Sequence, residues 1–208
     1  LGRIPLRRIG RSQGMPSGQA HHLVQDAQGI FWIATPGGLA SYDGSSVRTF
    51  SRKDGLGTQG LRTLAVTADG RVLVGTDVGL DIVEPDGRIH PLVPDWGYGL
   101  VEQIAVGKDG VWLGTARGLV KCDANHKLFR TDDFRLANAL ATGLEFDSEG
   151  RLWAAGPQFG LLMRENDRWR SPENWDWTKA GSVQTIARGP GDTLLVGGEN
   201  GIVQIRAD

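Results

Sequence analysis

A segment of about 40 residues repeats five times along this chain of 208 residues, and the repetition restricts the fold more than any other feature. The clearest copy is D-A-Q-G-I-F-W-I-A-T-P-G-G-L-A-S-Y-D-G at 26–44. Its Asp-x-x-Gly and Pro-Gly-Gly stretches are typical of turns, and β-prone apolar residues lie between them. One copy therefore predicts two strands joined by tight turns.

The spacing of the copies indicates how they are arranged. The glycine that directly precedes the later strand of this pair, Leu39 to Tyr42 in the first copy, recurs at intervals of 41, 39, 42 and 41 residues, at Gly38, Gly79, Gly118, Gly160 and Gly201. This period, with several short strands in each unit, is typical of a β-propeller blade. A helical solenoid would show apolar residues at a 3.6-residue period, which these segments lack. We therefore predict an all-β propeller of four-stranded blades.

We expect one domain over residues 1–208. The predicted repeat units cover residues 17–58, 59–98, 99–137, 138–180 and 181–208. The last unit has three predicted strands, whereas an additional strand is predicted at residues 4–9. Pairing of residues 4–9 with residues 201–206 would complete the last blade, close a five-bladed ring and remove two exposed sheet edges.

Three positions of the repeat have the character of a core. One position in the first strand is always leucine or isoleucine: Leu23, Leu64, Ile104, Leu144 and Ile186. The second strand has a bulky residue followed two positions later by a small one, as in Trp32 and Ala34. This alternation of large and small side chains lets neighbouring sheets interdigitate. We therefore interpret Trp32, Trp112 and Trp153 as core residues.

Composition excludes several classes of protein. The formal net charge of −1 indicates no general attraction to nucleic acid or to anionic lipid. No run of 18 apolar residues is present, so any membrane attachment is expected only through segments outside this chain. The chain begins at Leu1, which suggests that a leader or preceding sequence has been removed. The single Cys122 cannot form a disulfide within the chain.

The pattern D-x-x-G-x-x-W-x-A-T-x-x-G-L-x-x-Y-D-G at 26–44, followed by K-D-G-L at 53–56, resembles the two-component regulator propeller repeat. The opening I-G-R-S-Q-G-M-P-S-G at 9–18 resembles the segment that precedes the first repeat in such proteins. The resemblance implies an extracytoplasmic, periplasmic sensor domain upstream of a bacterial histidine kinase or diguanylate cyclase. Sensors of this family usually carry seven or more units in a ring, so five units form either a five-bladed ring or the front part of a larger one.

Residues suited to catalysis are few. The chain has no Gly-x-Ser-x-Gly nucleophile motif, and adjacent His21 and His22 point to opposite faces of a strand, which disfavours a shared metal ion. The acidic residues Asp26, Asp69, Asp109 and Asp147 or Glu149 recur at turns and are interpreted as structural. We therefore predict no catalytic residues, no metal site and no cofactor.

The loops that differ between repeats are the best candidates for ligand binding, because the repeated positions are used for packing. The loops from each outer strand to the next inner strand share one face of the ring with the turns between the second and third strands. Aromatic, charged and polar residues on this face form the predicted ligand site: Trp96, Tyr98, Phe134, Trp175, Trp177, Arg117, Arg62, His21 and Glu102. Such residues suit a small molecule, an oligosaccharide or a peptide. Alternatively, the rings anchor the loops on neighbouring blades.

Three functions stay open at this point. The first, favoured by the resemblance, is a non-catalytic sensor domain that binds a ligand or transmits its signal through the geometry of a homodimer. The second is a lyase, lactonase or other hydrolase on a propeller scaffold, for which only Glu102 with His21 offers suitable side chains. The third is a protein interaction module. Propellers serve all three functions, so the fold alone does not choose between them.

Overall fold

The computed structural model describes residues 7–108, 110–173 and 175–206, and these residues form five antiparallel sheets in chain order. The first sheet contains β1 to β4, at His22–Gln25, Phe31–Thr35, Gly38–Tyr42 and Val47–Phe50. The second contains β5 to β8, at Leu61–Val66, Val72–Thr76, Leu80–Val83 and Ile89–Pro91. The third contains β9 to β12, at Val101–Gly107, Gly110–Thr115, Gly118–Cys122 and Leu128–Arg130.

The last two sheets continue the pattern. The fourth contains β13 to β16, at Gly143–Phe146, Leu152–Gly156, Gly160–Glu165 and Arg168–Arg170. The fifth contains β17 to β19, at Val183–Arg188, Thr193–Gly198 and Gly201–Arg206. The first strand of each sheet contacts the first strand of the next, from β1 through β5, β9 and β13 to β17. These five strands are therefore innermost, and the sheets are the blades of a propeller.

Helix is confined to short turns in the described residues. A single turn of 3-10 helix forms at Arg11–Gln13 and another at Arg52–Asp54 in the equivalent loop of the next repeat. The four-residue helix α1 covers Trp177–Ala180. None of the helices in the described ranges has the length and apolar character needed to cross a membrane.

The predicted closing strand at residues 4–9 is not seen in the described part of the chain. Residues 7–9 belong to no strand, and residues 4–6 lie outside the described residues. The fifth sheet has three strands there, with β19 at its edge. Closure of a five-bladed ring therefore stays a prediction.

The turn between the first and second strands is built around one side chain. In the first blade, Oδ1 of Asp26 accepts hydrogen bonds from the backbone amides of Gln28 and Ile30, at 3.0 and 2.9 Å. Asp147 has the same role in the fourth blade, where its Oδ1 accepts from Glu149 and Arg151. Gly29 adopts a φ of 84° in this turn, in the left-handed region that glycine enters without steric cost.

In the second blade this position belongs to Thr67, and Asp69 lies in the same turn, where its Oδ1 accepts a hydrogen bond of 2.5 Å from the Thr67 hydroxyl. The Thr67 amide donates to the Arg71 carbonyl and its own carbonyl accepts from Gly70, which matches the backbone bonds of the Asp26 turn. The hydroxyl of Thr67 also accepts from the Arg71 amide at 3.0 Å. Threonine can replace aspartate here because the turn needs one side-chain oxygen as acceptor. Asp109 lies outside the described residues.

Each of the first three blades closes the next turn with a buried threonine. The hydroxyl of Thr35 donates to the carbonyl of Gly38 at 2.7 Å and accepts from the amide of Gly37 at 3.1 Å. Thr76 and Thr115 make the same donated bond to Gly79 and Gly118. The threonine of the repeat is therefore a structural residue that satisfies a turn isolated from water.

Apolar clusters fill the spaces between successive blades. Trp112 and Trp153 are buried, and Trp32 is partly buried against the cluster between the first two blades. The ring of Trp32 also stacks on that of Phe50, with centroids 5.6 Å apart. The prediction that these three tryptophans belong to the core is confirmed.

Candidate functional site

Three predicted site residues occupy the beginnings of adjacent inner strands. His21 directly precedes β1, Arg62 lies in β5 and Glu102 lies in β9. Nδ1 of His21 is 2.8 Å from the carbonyl oxygen of Leu61 in the next blade. Because a carbonyl only accepts hydrogen bonds, this ring nitrogen carries the proton and donates it. His21 thus joins the first blade to the second beside Arg62.

Arg62 is held between two carboxylates. Its Nε is 2.6 Å from Oδ1 of Asp77, and its Nη1 is 3.6 Å from Oε2 of Glu102 in the third blade. The hydrogen bond that Arg62 donates to Asp77, together with the charges of Asp77 and Glu102, raises the pKa of Arg62 above its usual value. We name His21, Arg62, Asp77 and Glu102 the polar rim. Three of its members come from the predicted site, whereas Asp77, in the turn between β6 and β7, was not among the predicted residues.

Trp96, Tyr98 and Arg117 form a separate group that stabilises one loop. The indole nitrogen of Trp96 donates to the carbonyl of Gly99 at 2.5 Å, and its ring packs edge to face with Tyr98. Nη1 of Arg117 donates to the carbonyl of Gly97 at 2.9 Å. The Trp96 ring also lies over Gly79, where an added Cβ would be 3.3 Å from Cγ of the indole. Trp96 and Arg117 therefore have the geometry expected of loop anchors.

The remaining predicted residues lie in other loops of the described part of the chain. The side chain of Phe134 is 86% exposed. Trp175 packs against the cluster between the fourth and fifth blades, and with Trp153 it lines a groove of about 420 Å³. Trp177 is the first residue of α1.

Grooves between blades are surface features that the sequence reasoning missed. One groove of about 470 Å³ lies between the first two blades and is lined by Trp32, Arg48 and Glu84. Between the third and fourth blades, cavities of about 470 and 400 Å³ both include Trp112 and Arg164. The guanidinium carbon of Arg164 is 4.8 Å from the Trp112 ring centroid, which is a cation–π distance. Repeated tryptophans were the available signal, although their use in packing concealed their exposed edges.

His22 has a structural contact different from that of His21. Its Nδ1 accepts a hydrogen bond of 3.0 Å from the backbone amide of Leu64, so this nitrogen carries no proton. Burial lowers the pKa of His22. The two histidines bind different backbone groups of β5, and no cluster of three metal-ligating side chains occurs in the described ranges.

The fold is a β-propeller, and the polar rim lies on the face that carries the variable loops. No protein-family model matches the sequence, and no curated protein matches it. Solved propellers match instead. The extracellular domain of the putative hybrid two component system BT3049 from B. thetaiotaomicron aligns with 97% of this chain at 17% identity and a TM-score of 0.79. That of BT4673, from the same organism, aligns with 92% at 19% identity and a TM-score of 0.76.

The chain spans only 30% and 27% of those two extracellular domains. Virginiamycin B lyase from Staphylococcus aureus also shares the fold, at 13% identity and a TM-score of 0.69, over 90% of this chain and 69% of the lyase. The expected likeness to the propellers of two-component sensor systems is thus confirmed at the level of the fold.

Proposed function

We propose that this chain is a non-catalytic, ligand-binding sensor domain of a bacterial signalling protein, located outside the cytoplasm. The observation that carries the proposal is the likeness of 97% of the chain to the extracellular domain of BT3049. A kinase or diguanylate cyclase module outside this chain would produce the output. Membrane attachment would likewise come from segments outside it.

The polar rim is the part of the loop face best suited to a ligand. Arg62 is oriented by Asp77 and Glu102, so a bound group would meet an ordered guanidinium rather than a freely rotating one. Guanidinium and carboxylate groups together favour a hydroxyl-rich molecule such as an oligosaccharide, or the amide groups of a peptide, because these can both donate to the carboxylates and accept from the guanidinium. Exposed Phe134 adds an aromatic surface on the same loop face.

A ligand screen tests this proposal. Native mass spectrometry and thermal-shift measurements with oligosaccharides and peptides would identify a binder, whose affinity is then measured by calorimetry. Arg62→Ala should weaken binding several-fold. Arg88→Ala is the matched control, because Arg88 is also exposed and paired with a carboxylate, Asp86 at 2.7 Å, but lies in a turn on the opposite face. Equal loss of affinity in both variants would contradict a site at the polar rim.

The absence of catalysis has its own test. The chain and its His21→Ala/Glu102→Gln double variant would be assayed against esters, lactones and uronic-acid polysaccharides. We expect no turnover by either protein. Turnover that disappears in the double variant would instead support a propeller lyase or hydrolase.

Transmission of the signal through a homodimer is tested by light scattering with and without the identified ligand. A ligand-dependent change in dimer content would support this route. A constant monomer would restrict signalling to conformational changes within one chain. Binding of a protein and of no small molecule would favour an interaction module.

A further inference from the structure

The groove between blades three and four is formed by two facing rows of side chains. Residues directly opposite each other in antiparallel strands share one face of the sheet. The row on blade three consists of Trp112, Lys121 and Phe129. The row on blade four consists of Leu152, Arg164 and Trp169. The two rows meet where Trp112 and Trp169 pack edge to face, with ring centroids 6.1 Å apart.

Two like charges at the middle of these rows distinguish this interface from the other three in the described chain. The equivalent middle positions of the other interfaces hold uncharged residues: Ser41 and Val83, Ile82 and Cys122, and Met163 and Ile205. Here Nζ of Lys121 is 5.7 Å and Cζ of Arg164 is 4.8 Å from the centroid of the Trp112 ring. The side chain of Arg164 is only 23% exposed, so water screens the repulsion between the two cations poorly. An anion between the blades would offset this repulsion.

The cavity beside the two cations has room for a flat ring. Its volume is about 400 Å³, and Trp112, Phe129 and Trp169 all line it. Phe129 is 44% exposed and offers a surface for stacking, whereas the two tryptophans are buried. Lys121 lies directly opposite Phe129 in the pair formed by β11 and β12. A ring stacked on Phe129 would therefore hold an attached carboxylate close to Lys121.

Acidic residues at the edge of the cavity restrict the charge of a ligand. The charged residues that line it are Lys121, Arg130, Arg164, Asp123, Asp132 and Asp167. Oδ1 of Asp123 accepts hydrogen bonds from the amides of Asn125 and Lys127 and so stabilises a turn. Asp167 is 2.5 Å from Arg164, but its side chain is 86% exposed, so this ion pair is readily replaced in water. A polyanion would meet these carboxylates, whereas a ligand with one negative charge fits between the cations.

We propose that the groove between blades three and four binds a small organic acid, with its flat apolar body on Phe129 and its single carboxylate between Lys121 and Arg164. The carboxylate accepts charge-assisted hydrogen bonds from both cations. This cavity shares no residue with the polar rim. The proposal therefore does not depend on a ligand at the loop face.

Calorimetric titration of the chain with benzoate, 2-naphthoate and indole-3-acetate at constant ionic strength tests the proposal. At least one of these acids should bind, and its uncharged alcohol counterpart should bind about tenfold more weakly or worse. Lys121→Met and Arg164→Met introduce the residue that blade four has at Met163, and each should weaken binding of the acid about tenfold or more. Phe129→Ala should weaken it several-fold. Absence of binding by all three acids would overturn the proposal.

Arg48→Met is the matched control. Cζ of Arg48 is 4.7 Å from the centroid of the Phe50 ring, and both residues line the groove between blades one and two. The acidic residues of that groove are Asp26, Asp69, Glu84 and Asp86. The control should bind the acid as the parent does, and equal losses in Arg48→Met and Lys121→Met would overturn the proposal. Thermal melts confirm that each variant is folded, and Lys121→Met decides alone if Arg164→Met does not fold, because Lys121 is only partly buried.

Discussion

The indole nitrogen of Trp153 donates a hydrogen bond of 2.8 Å to Oδ2 of Asp147, and Trp32 makes the same bond of 2.8 Å to Oδ2 of Asp26. The acidic residue of the repeat therefore connects the turn to the core, because its other oxygen binds the turn backbone. Asp147 is buried, which by itself raises the pKa of its carboxyl group. Hydrogen bonds from Trp153 and Arg151 outweigh this effect and lower the pKa below its usual value.

Removal of this carboxylate should destabilise the fold. Asp147→Ala leaves the indole of Trp153 and two backbone amides without their acceptor, and it leaves Arg151 without its partner at 2.7 Å. We expect a loss of about 3 kcal/mol or more in the free energy of unfolding, measured by urea denaturation. Glu149→Ala, at an exposed residue of the same turn, is the control and should change the free energy little. Equal effects in the two variants would refute the proposed connection.

Acid should destabilise the protein through His22. Its pKa is lowered in the folded state, so the unfolded state binds a proton more readily as the pH falls below about 6.5. Stability from this residue is complete above that pH and is lost as the pH falls toward the folded-state value. His22→Gln retains an acceptor for the Leu64 amide without a titrating group.

The comparison requires urea denaturation of both proteins at pH 7, 6 and 5. The variant should lose less stability than the parent over this range. Burial raises the pKa of Asp81, which acts in the opposite direction and is common to both proteins, so the difference between them isolates His22. Parallel pH profiles would exclude His22 as the cause.

Cys122 should be unreactive in the folded protein. It is buried, and burial together with the charge of Asp123 raises the pKa of its thiol to about 11. Because the thiolate is the nucleophile, iodoacetamide at pH 7.5 should modify the thiol only after unfolding. Mass spectrometry after incubation with and without urea measures this directly. Rapid modification without urea would mean that the third blade opens locally.

Close approach between blades predicts different costs for two glycine substitutions. Gly114→Ala places a Cβ 2.5 Å from the carbonyl oxygen of Ala141 in the next blade, and we expect a loss of about 1–3 kcal/mol from this overpacking. Gly197→Ala meets only a methyl group of Thr185, which can change rotamer, so its cost should be smaller. Thermal melts compare the two variants. A larger loss at Gly197 would contradict this expectation.

The blades could be predicted from the sequence because the turn residues and the packing residues of the repeat recur at fixed spacing. The five glycines used as a ruler all adopt positive φ, and the tryptophans belong to the core. Asp69 lies in a turn as predicted, but threonine and aspartate offer the same kind of acceptor, so Thr67 holds the position of Asp26 in the second blade. The loop residues were harder to place. Whether Trp96 contacts a ligand or its own loop depends on the conformation of that loop at Gly99 and on Gly79, which only the folded backbone brings near it.

The succession of contacts from β1 through β5, β9 and β13 to β17 has a consequence for biosynthesis. Each blade docks on the one synthesised just before it, so folding can keep pace with emergence from the ribosome or a translocation channel. The newest blade at any moment presents an apolar face, as the fifth blade does with Ile202. Pauses between repeats should therefore expose one such face to chaperones, and pauses within a repeat should expose an unpaired strand edge as well.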